Sequence, residues 1–280
     1  MKSHIPVMLT EVMEALQVKP GGLYIDATFG GGGHTEEIIK RGGKVLAIDA
    51  DPEAEKRINS GLGSSITFRK GNFRDMREIA LNESFSLVDG ILFDLGLSSM
   101  EIDDPEKGFS FRFDTTPLDM RYSGEGASAA DLLKHGTVES MQEIFETFGE
   151  EEKALAIAKS IYKHRAKKPL LTALDLRTLI NQTGGDDRTT ARIFQALRIA
   201  VNDEIHSLEN ALVDGSTLLK TKGRIVVLSY HSLEDRVVKR FGERDGSMKW
   251  ITKKPMLPGQ EEQTRNRRSR SAKMRILEKI

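Results

Sequence analysis

Through the first hundred residues, short apolar or β-branched runs alternate with stretches whose apolar positions recur every three or four residues. Strands are expected at 23–28, 44–49, 66–69 and 87–93, and helices at about 34–41, 52–61 and 73–80. Alternation of this kind builds a parallel sheet with right-handed crossovers. The rhythm stops over 97–126, a stretch rich in Ser, Asp, Gly and Pro with Phe109, Phe111 and Phe113 at alternate positions. A long irregular segment inside a compact protein is usually functional or disordered. From 127 to about 185 the pattern is helical: Ala154, Ile157, Ala158 and Ile161 share a face, and Thr172 with Asp175 reads as a capping box ahead of Leu176, Leu179 and Ile180. The spacing of Ile193, Leu197, Val201, Ile205, Leu208 and Leu212 predicts one long helix from about 189 to 219. After Gly223, RIVVLSY is a strand as apolar as the earlier ones, so the α/β rhythm resumes. Trp250-Ile251 and Met274–Ile276, flanking a Gly/Pro/Arg loop, suit an antiparallel hairpin that closes the sheet. The expected architecture is α/β: one sheet domain made of 1–109 and 196–280, with an all-helical domain, 110–195, inserted into it.

The most informative chemistry lies in YIDATFGGGGH at 24–34, followed by Asp49 in VLAIDAD. A buried strand runs into four glycines and a helix, and an acid ends the next strand. This layout suits an adenosine-containing cofactor: glycines let the backbone approach it, the helix N-terminus offers N–H groups, and the acid accepts from ribose hydroxyls. A dinucleotide site requires G-x-G-x-x-G, and counting from Gly30 or Gly31 puts the third glycine at Thr35 or Glu36. The fingerprint fails, which favours S-adenosylmethionine, a carrier of adenosine without phosphate.

Composition narrows the chemistry further. The chain has 280 residues and no cysteine, so disulfides, thiolate metal sites and cysteine nucleophiles are excluded. It shows neither a membrane-spanning apolar run nor a signal-peptide core, which points to the cytoplasm. The net charge is zero but unevenly spread. Glu139, Glu143, Glu146, Glu150, Glu151 and Glu152 cluster, as do Lys163, Arg165, Lys167 and Lys168, and Arg265, Arg267, Arg268, Arg270, Lys273 and Arg275. Basic patches on a neutral protein can hold a polyanion at selected points, or be simple solvated faces.

Ligands of open α/β sheets gather at the carboxyl ends of strands. Those ends carry Gly30–His34, Asp49, Gly71-Asn72-Phe73, Asp94-Leu95-Gly96 and Tyr230-His231-Ser232. Phe73 can stack on an adenine or be ordinary core. Asp94 ends the apolar run GILFD, where a carboxylate without a partner is costly. His34 suits a cofactor contact or a polar cap of its helix. Glu101, Asp103, Asp104 and Glu106 lack the glycine and spacing of a calcium loop, so no metal is expected. A Ser-His-acid hydrolase at His231 lacks the G-x-S-x-G elbow.

The blocks HIPVMLTEV, YIDATFGGGGH, AIDADP, GNF, DGILFDLGLSS, GFSFRFDTTPLDMR, RIFQALRIAVNDE, GRIVVLSYHSLEDR and RSRSAKMR together resemble the bacterial RsmH (MraW) family over essentially the whole chain. The resemblance implies a Rossmann-like S-adenosylmethionine-dependent methyltransferase fold with a helical insert. It also implies methylation of N4 of a cytidine in the decoding region of small-subunit (16S) ribosomal RNA, within the assembling small subunit. Cofactor contacts would fall on Gly32, Gly33, His34, Asp49, Phe73 and Asp94. A further family contact is a Gln in a Ser-Ser-Pro-Gln run, and this chain has Glu101 after Ser98-Ser99-Met100, which can accept but not donate. Asn266-Arg267-Arg268 stands where the family has Asn-Pro-Arg.

The missing cysteine agrees with an amine target, because methylating cytosine carbon 5 generally needs a covalent cysteine adduct and an exocyclic amine does not. Asp94 is expected to accept from N4–H, Tyr230 or a Phe of 109–113 to stack the base, and His231 and Ser232 to orient it or relay its proton. The basic clusters would grip phosphates. Two other readings stay open: an RNA-binding assembly protein with a vestigial cofactor fold, and a DNA amino-methyltransferase. The latter usually carries Asp/Asn/Ser-Pro-Pro-aromatic where this chain has Asp94-Leu95-Gly96-Leu97. The oligomeric state is open, a homodimer included.

Overall fold

A computed structural model describes residues 6–58 and 60–280. The chain forms two compact units: residues up to Leu97 together with Ile205–Ile280, and Ser98–Glu204.

The first unit is built on a seven-stranded sheet. Its strands are β1 (Leu23–Asp26), β2 (Lys44–Asp49), β3 (Ile66–Lys70), β4 (Val88–Asp94), β5 (Leu219–Ser229), β6 (Met248–Trp250) and β7 (Lys273–Lys279), in the spatial order β3-β2-β1-β4-β5-β7-β6. The first five are parallel, β7 runs antiparallel to β5, and β6 antiparallel to β7, so the expected closing hairpin is present. β4 and β5 are parallel neighbours although the whole second unit separates them in sequence. The helices of this unit are α1 (Leu9–Ala15), α2 (Gly33–Lys40), α3 (Met76–Asn82), α10 (Glu204–Leu218), α11 (Ser232–Arg244) and α12 (Gln260–Arg265). Near-continuous apolar runs are the mark of strands covered on both faces. Ile25, Leu46, Ile48, Ile91, Phe93, Ile225 and Val227 pack with Met76, Leu208 and Leu212 on one face. Tyr24, Val45, Ala47, Leu92, Val226 and Leu228 pack with Val12, Leu16 and Ile38 on the other.

The second unit is helical, with α4 (Ser99–Asp103), α5 (Ala129–His135), α6 (Val138–Thr147), α7 (Ala154–Arg165), α8 (Ala173–Gln182) and α9 (Asp187–Asn202). The capping box of Thr172 and Asp175 is present, and Ser128 with Asp131 forms another. This unit is wider than the 110–195 expected, because the irregular stretch before α5 is fastened to its helices. Leu118 N–H donates to Leu171 O at 3.0 Å, Ala130 N–H to Leu118 O at 2.7 Å, and the Asn202 side chain to Met120 O at 2.7 Å.

Two further expectations are corrected. Among the described residues of 52–61 there is no α-helix: the chain makes 3₁₀ turns at Glu55–Arg57 and Ser60–Ser65, and Ile58 (φ −68°, ψ 121°) is extended after the first. The single helix expected over 189–219 is two helices, because Asp203 is left-handed (φ 50°, ψ 43°). Asp and Asn tolerate that region and are weak helix formers. The Asn202 side chain also accepts from Tyr122 N–H at 2.9 Å, and Arg198 grips Glu204 across the break at 2.8 and 2.9 Å. Among the described residues, no helix is long and apolar enough to cross a membrane.

Asp89, near the amino end of β4, takes hydrogen bonds from Lys19, Lys220 and Leu23 N–H. Burial alone would raise its pKa, but these donors override it and hold the carboxyl at about 2, against an ordinary 3.8. A depressed folded-state pKa means stabilisation that is complete above the ordinary value and lost as pH falls through the folded one. Asp89→Asn should therefore cost about 1 kcal/mol at neutral pH, after allowing for solvent screening of the lysines. It should also flatten the stability profile between about pH 4 and pH 2, which urea unfolding over a pH series will measure.

Candidate functional site

Five parallel strands in the order β3-β2-β1-β4-β5 bring Phe73, Asp49, Gly30–His34, Asp94 and Tyr230–Ser232 to one edge of the sheet. Strand order reverses between β1 and β4, and the crevice at such a point is where open α/β sheets hold ligands.

The glycine turn is built around Asp49. Gly30 N–H donates to Asp49 Oδ2 at 2.6 Å, and Asp51 N–H donates to Oδ1 at 2.8 Å. Burial pushes the Asp49 pKa up, while the two N–H donors and Arg57 oppose it. Arg57 ties the arrangement together, donating to Asp51 Oδ2 at 2.5 Å and to Gly30 O at 3.2 Å. The acid is thus fixed relative to the turn, and each oxygen keeps a lone pair for a hydroxyl. Gly32 is left-handed (φ 78°) and no side chain caps α2 behind it. A Cβ on Gly32 would lie 2.7 Å from the Phe29 ring, and one on Gly33 would lie 2.3 Å from Pro6 Cγ. These two glycines therefore answer to packing against Phe29 and Pro6.

The position where a dinucleotide site has its third glycine holds Thr35, fully buried. Its hydroxyl donates to Asp26 Oδ2 at 2.7 Å, and Thr28 N–H reaches Asp26 Oδ1 at 3.2 Å. Asp26 is itself buried, and desolvation raises its pKa against the pull of Thr35 and His34. Thr28 also accepts from Asp94 N–H at 2.7 Å, linking the ends of β1 and β4.

Asp94 receives the Tyr230 hydroxyl on Oδ1 at 2.7 Å. Burial and the neighbouring carboxylate hold the Tyr230 pKa well above its usual value, so the phenol keeps its proton and donates. Gly96 lies beneath the Tyr230 ring: a Cβ there would approach it to 2.6 Å. Asp94 Oδ2 faces His34 Nδ1 at 3.7 Å, and His34 Nε2 lies 3.0 Å from Val7 O. His34 is 6% exposed.

Other expected residues have different duties. His231 caps α11 and pairs with buried Glu234, Nε2 to Oε1 at 3.0 Å, and Ser232 is the first residue of that helix. Glu234 Oε2 also accepts from Tyr230 N–H at 2.7 Å, so the His231–Glu234 pair serves to seat Tyr230. Phe73 is half-buried, edge-on to Phe93 at 6.0 Å. Glu101 belongs to the helical unit, where it is buried and forms a capping box with Ser98: Ser98 N–H donates to Oε2 at 2.7 Å, and Glu101 N–H to Ser98 Oγ at 3.2 Å. In the aromatic strip, Phe109 stacks on Tyr122 at 5.1 Å and Phe111 meets Phe194 edge-on at 5.3 Å, while Phe113 is 46% exposed. Two of the basic residues are structural. Arg165 donates to Leu133 O and Gly136 O, and buried Arg275 pairs with Asp235 at 2.6 Å. Lys163, Lys167, Arg265, Arg267 and Arg270 are exposed.

A model of the MraW methylase family matches residues 1–280. The chain belongs to that family. Among its relatives, "Ribosomal RNA small subunit methyltransferase H" of Carboxydothermus hydrogenoformans is 42% identical over 99% of this chain and 98% of its own length. The protein of the same name from Thermomicrobium roseum is 42% identical over 99% and 94%. A solved rRNA methylase from Streptococcus thermophilus overlays with a TM-score of 0.47 at 12% identity, covering 97% of this chain and 95% of that one. A methylase of this family uses S-adenosylmethionine, and the donor set suits it. Asp49 offers lone pairs to a ribose diol, the uncapped start of α2 offers N–H groups to a carboxylate, and no phosphate cradle is built.

Sequence reasoning missed Asp26, Thr28, Thr35 and Arg57. The signal for the first three was an acid inside an apolar strand with two threonines in reach. Thr35→Val keeps the shape and removes the side-chain donor to Asp26. It should lower stability by roughly 1–3 kcal/mol, read from the urea midpoint at unchanged slope.

Proposed function

We propose that this chain transfers a methyl group from S-adenosylmethionine to N4 of a cytidine in the decoding region of small-subunit (16S) ribosomal RNA. The single observation that carries the reading is Asp94: a carboxylate at the switch point, with one oxygen held by Tyr230 and the other facing His34 Nδ1 at 3.7 Å. An amine needs such an acceptor and no covalent adduct, and the chain contains no cysteine to form one. The names of its relatives supply the RNA class.

The donor supplies an electrophilic methyl group. Asp49 and the start of α2 hold it by ribose and carboxylate. Asp94 Oδ2 accepts one N4–H, which draws the nitrogen lone pair out of conjugation and aims it. Tyr230 fixes the carboxylate through its hydroxyl, which donates to Oδ1. The exposed Lys163, Lys167, Arg265, Arg267 and Arg270 are the groups available to phosphates, so affinity for RNA should fall with salt.

Asp94→Ala should reduce tritiated-methyl transfer to ribosomal RNA at least 100-fold. Near-normal rates would remove Asp94 from the chemistry. Mass spectrometry of ribosomal RNA from a deletion strain should show loss of one N4-methylated cytidine; RNA binding without any methyl loss would favour an assembly role instead. Calorimetry with S-adenosylhomocysteine should give clear binding to the wild type and at least tenfold weaker binding to Asp49→Ala, about 1.4 kcal/mol.

A further inference from the structure

Methylation of an amine leaves one proton too many on the nitrogen, and the geometry around His34 shows where that proton can go. His34 Nε2 lies 3.0 Å from the Val7 carbonyl oxygen. A carbonyl only accepts, so Nε2 carries the hydrogen. When the ring is neutral, its Nδ1 lone pair faces Asp94 Oδ2, 3.7 Å away, and a small approach would let the two share one added proton. The other oxygen of Asp94 is already occupied by Tyr230, at 2.7 Å.

We propose that His34 is the terminal proton acceptor of the methyl transfer, receiving through Asp94 Oδ2 the proton released by the methylated amine. The inference rests on the N4 reading above. The amine lone pair forms the new N–C bond, and the electrons of the broken S–C bond remain on sulfur. The surplus N–H proton moves to Asp94 Oδ2 and on to His34 Nδ1, leaving an imidazolium opposite a restored carboxylate. The relay moves one positive charge from the product base to the imidazole and leaves the methylated amine neutral. The groups facing His34 are Asp26 from β1, Asp94 from β4 and the Val7 carbonyl. Around Asp94 lies Tyr230, which in turn feels Glu234 from α11 and Arg268. Of these, Asp26 has its own oxygens held by Thr35 and Thr28.

The test combines a pH profile with a spectroscopic signature. His34→Gln keeps an N–H donor for Val7 O but no basic nitrogen. At saturating S-adenosylmethionine and RNA it should lower kcat roughly tenfold and move the acid limb of the profile to lower pH. Nitrogen NMR of wild-type His34 should show hydrogen on Nε2 alone at high pH. A His34→Gln enzyme with kcat within twofold of wild type and an unshifted limb overturns the proposal, as does hydrogen on Nδ1 at high pH. The NMR arm decides if the variant does not fold. Failure of the wild type to make N4-methylcytidine would defeat the N4 reading separately, while the NMR result still reports on the His34–Asp94 pair.

Discussion

Placing three carboxylates at the carboxyl ends of adjacent apolar strands is the constraint on which the sheet unit depends. Asp26, Asp49 and Asp94 end β1, β2 and β4, and a carboxylate in such a place must find N–H or O–H partners or lose its charge. Each finds them in a different way. Asp49 takes two backbone N–H groups, Asp26 takes one hydroxyl and one backbone N–H, and Asp94 takes one phenol. The loops after the strands have the shapes they have because they must deliver these donors. The glycine turn bends back so that Gly30 N–H meets Asp49, and α2 begins where it does so that Thr35 reaches Asp26. The three are unequally satisfied, and Asp94 has the fewest internal donors.

A related logic explains why polar residues that look catalytic in sequence turn out to be supports. His231 and Glu234 close the start of α11, and Glu234 also holds the Tyr230 backbone. Tyr230 then presents its hydroxyl to Asp94, with Gly96 leaving room for its ring. A chain of three contacts thus runs from a helix cap to the reactive carboxylate. Within the helical unit, Glu101 spends one oxygen on Ser98 N–H, and Asn202 and Arg198 shape the break between α9 and α10. The same residue types that suggest chemistry also terminate helices, because both tasks call for an oriented acceptor.

The difference between what was legible in the sequence and what was not follows the range of the interaction. Strand positions, the parallel order of the first four strands, the Thr172–Asp175 box and the closing hairpin depend on local pattern, and they were readable from period and capping residues. The placing of Asp49 and Asp94 at strand ends was readable because each closes an apolar run. The break at Asp203 was not, since apolar spacing continues across it and only the contacts of Asn202 with Met120 and Tyr122 show the turn. The packing role of Gly33 was not legible either: its missing Cβ makes room for Pro6, a residue far away in sequence. Likewise Arg275 sits in a basic run yet is buried against Asp235. Charge counted along a chain does not say which guanidinium faces water.

The glycine turn and the Asp94 pair are consequently one structure with two chemistries. His34 belongs to both, being the second residue of α2 and the neighbour of Asp94 Oδ2. Thr35, the next residue of α2, holds the helix to Asp26. The Val7 carbonyl fixes the far side of the His34 ring, so the imidazole cannot swing away from Asp94 without losing that hydrogen bond. The N-terminal segment is in turn held by Glu262, which accepts from Met8 N–H at 2.7 Å. Thus α12, just ahead of the exposed arginines, supports the orientation of the ring beside the reactive carboxylate.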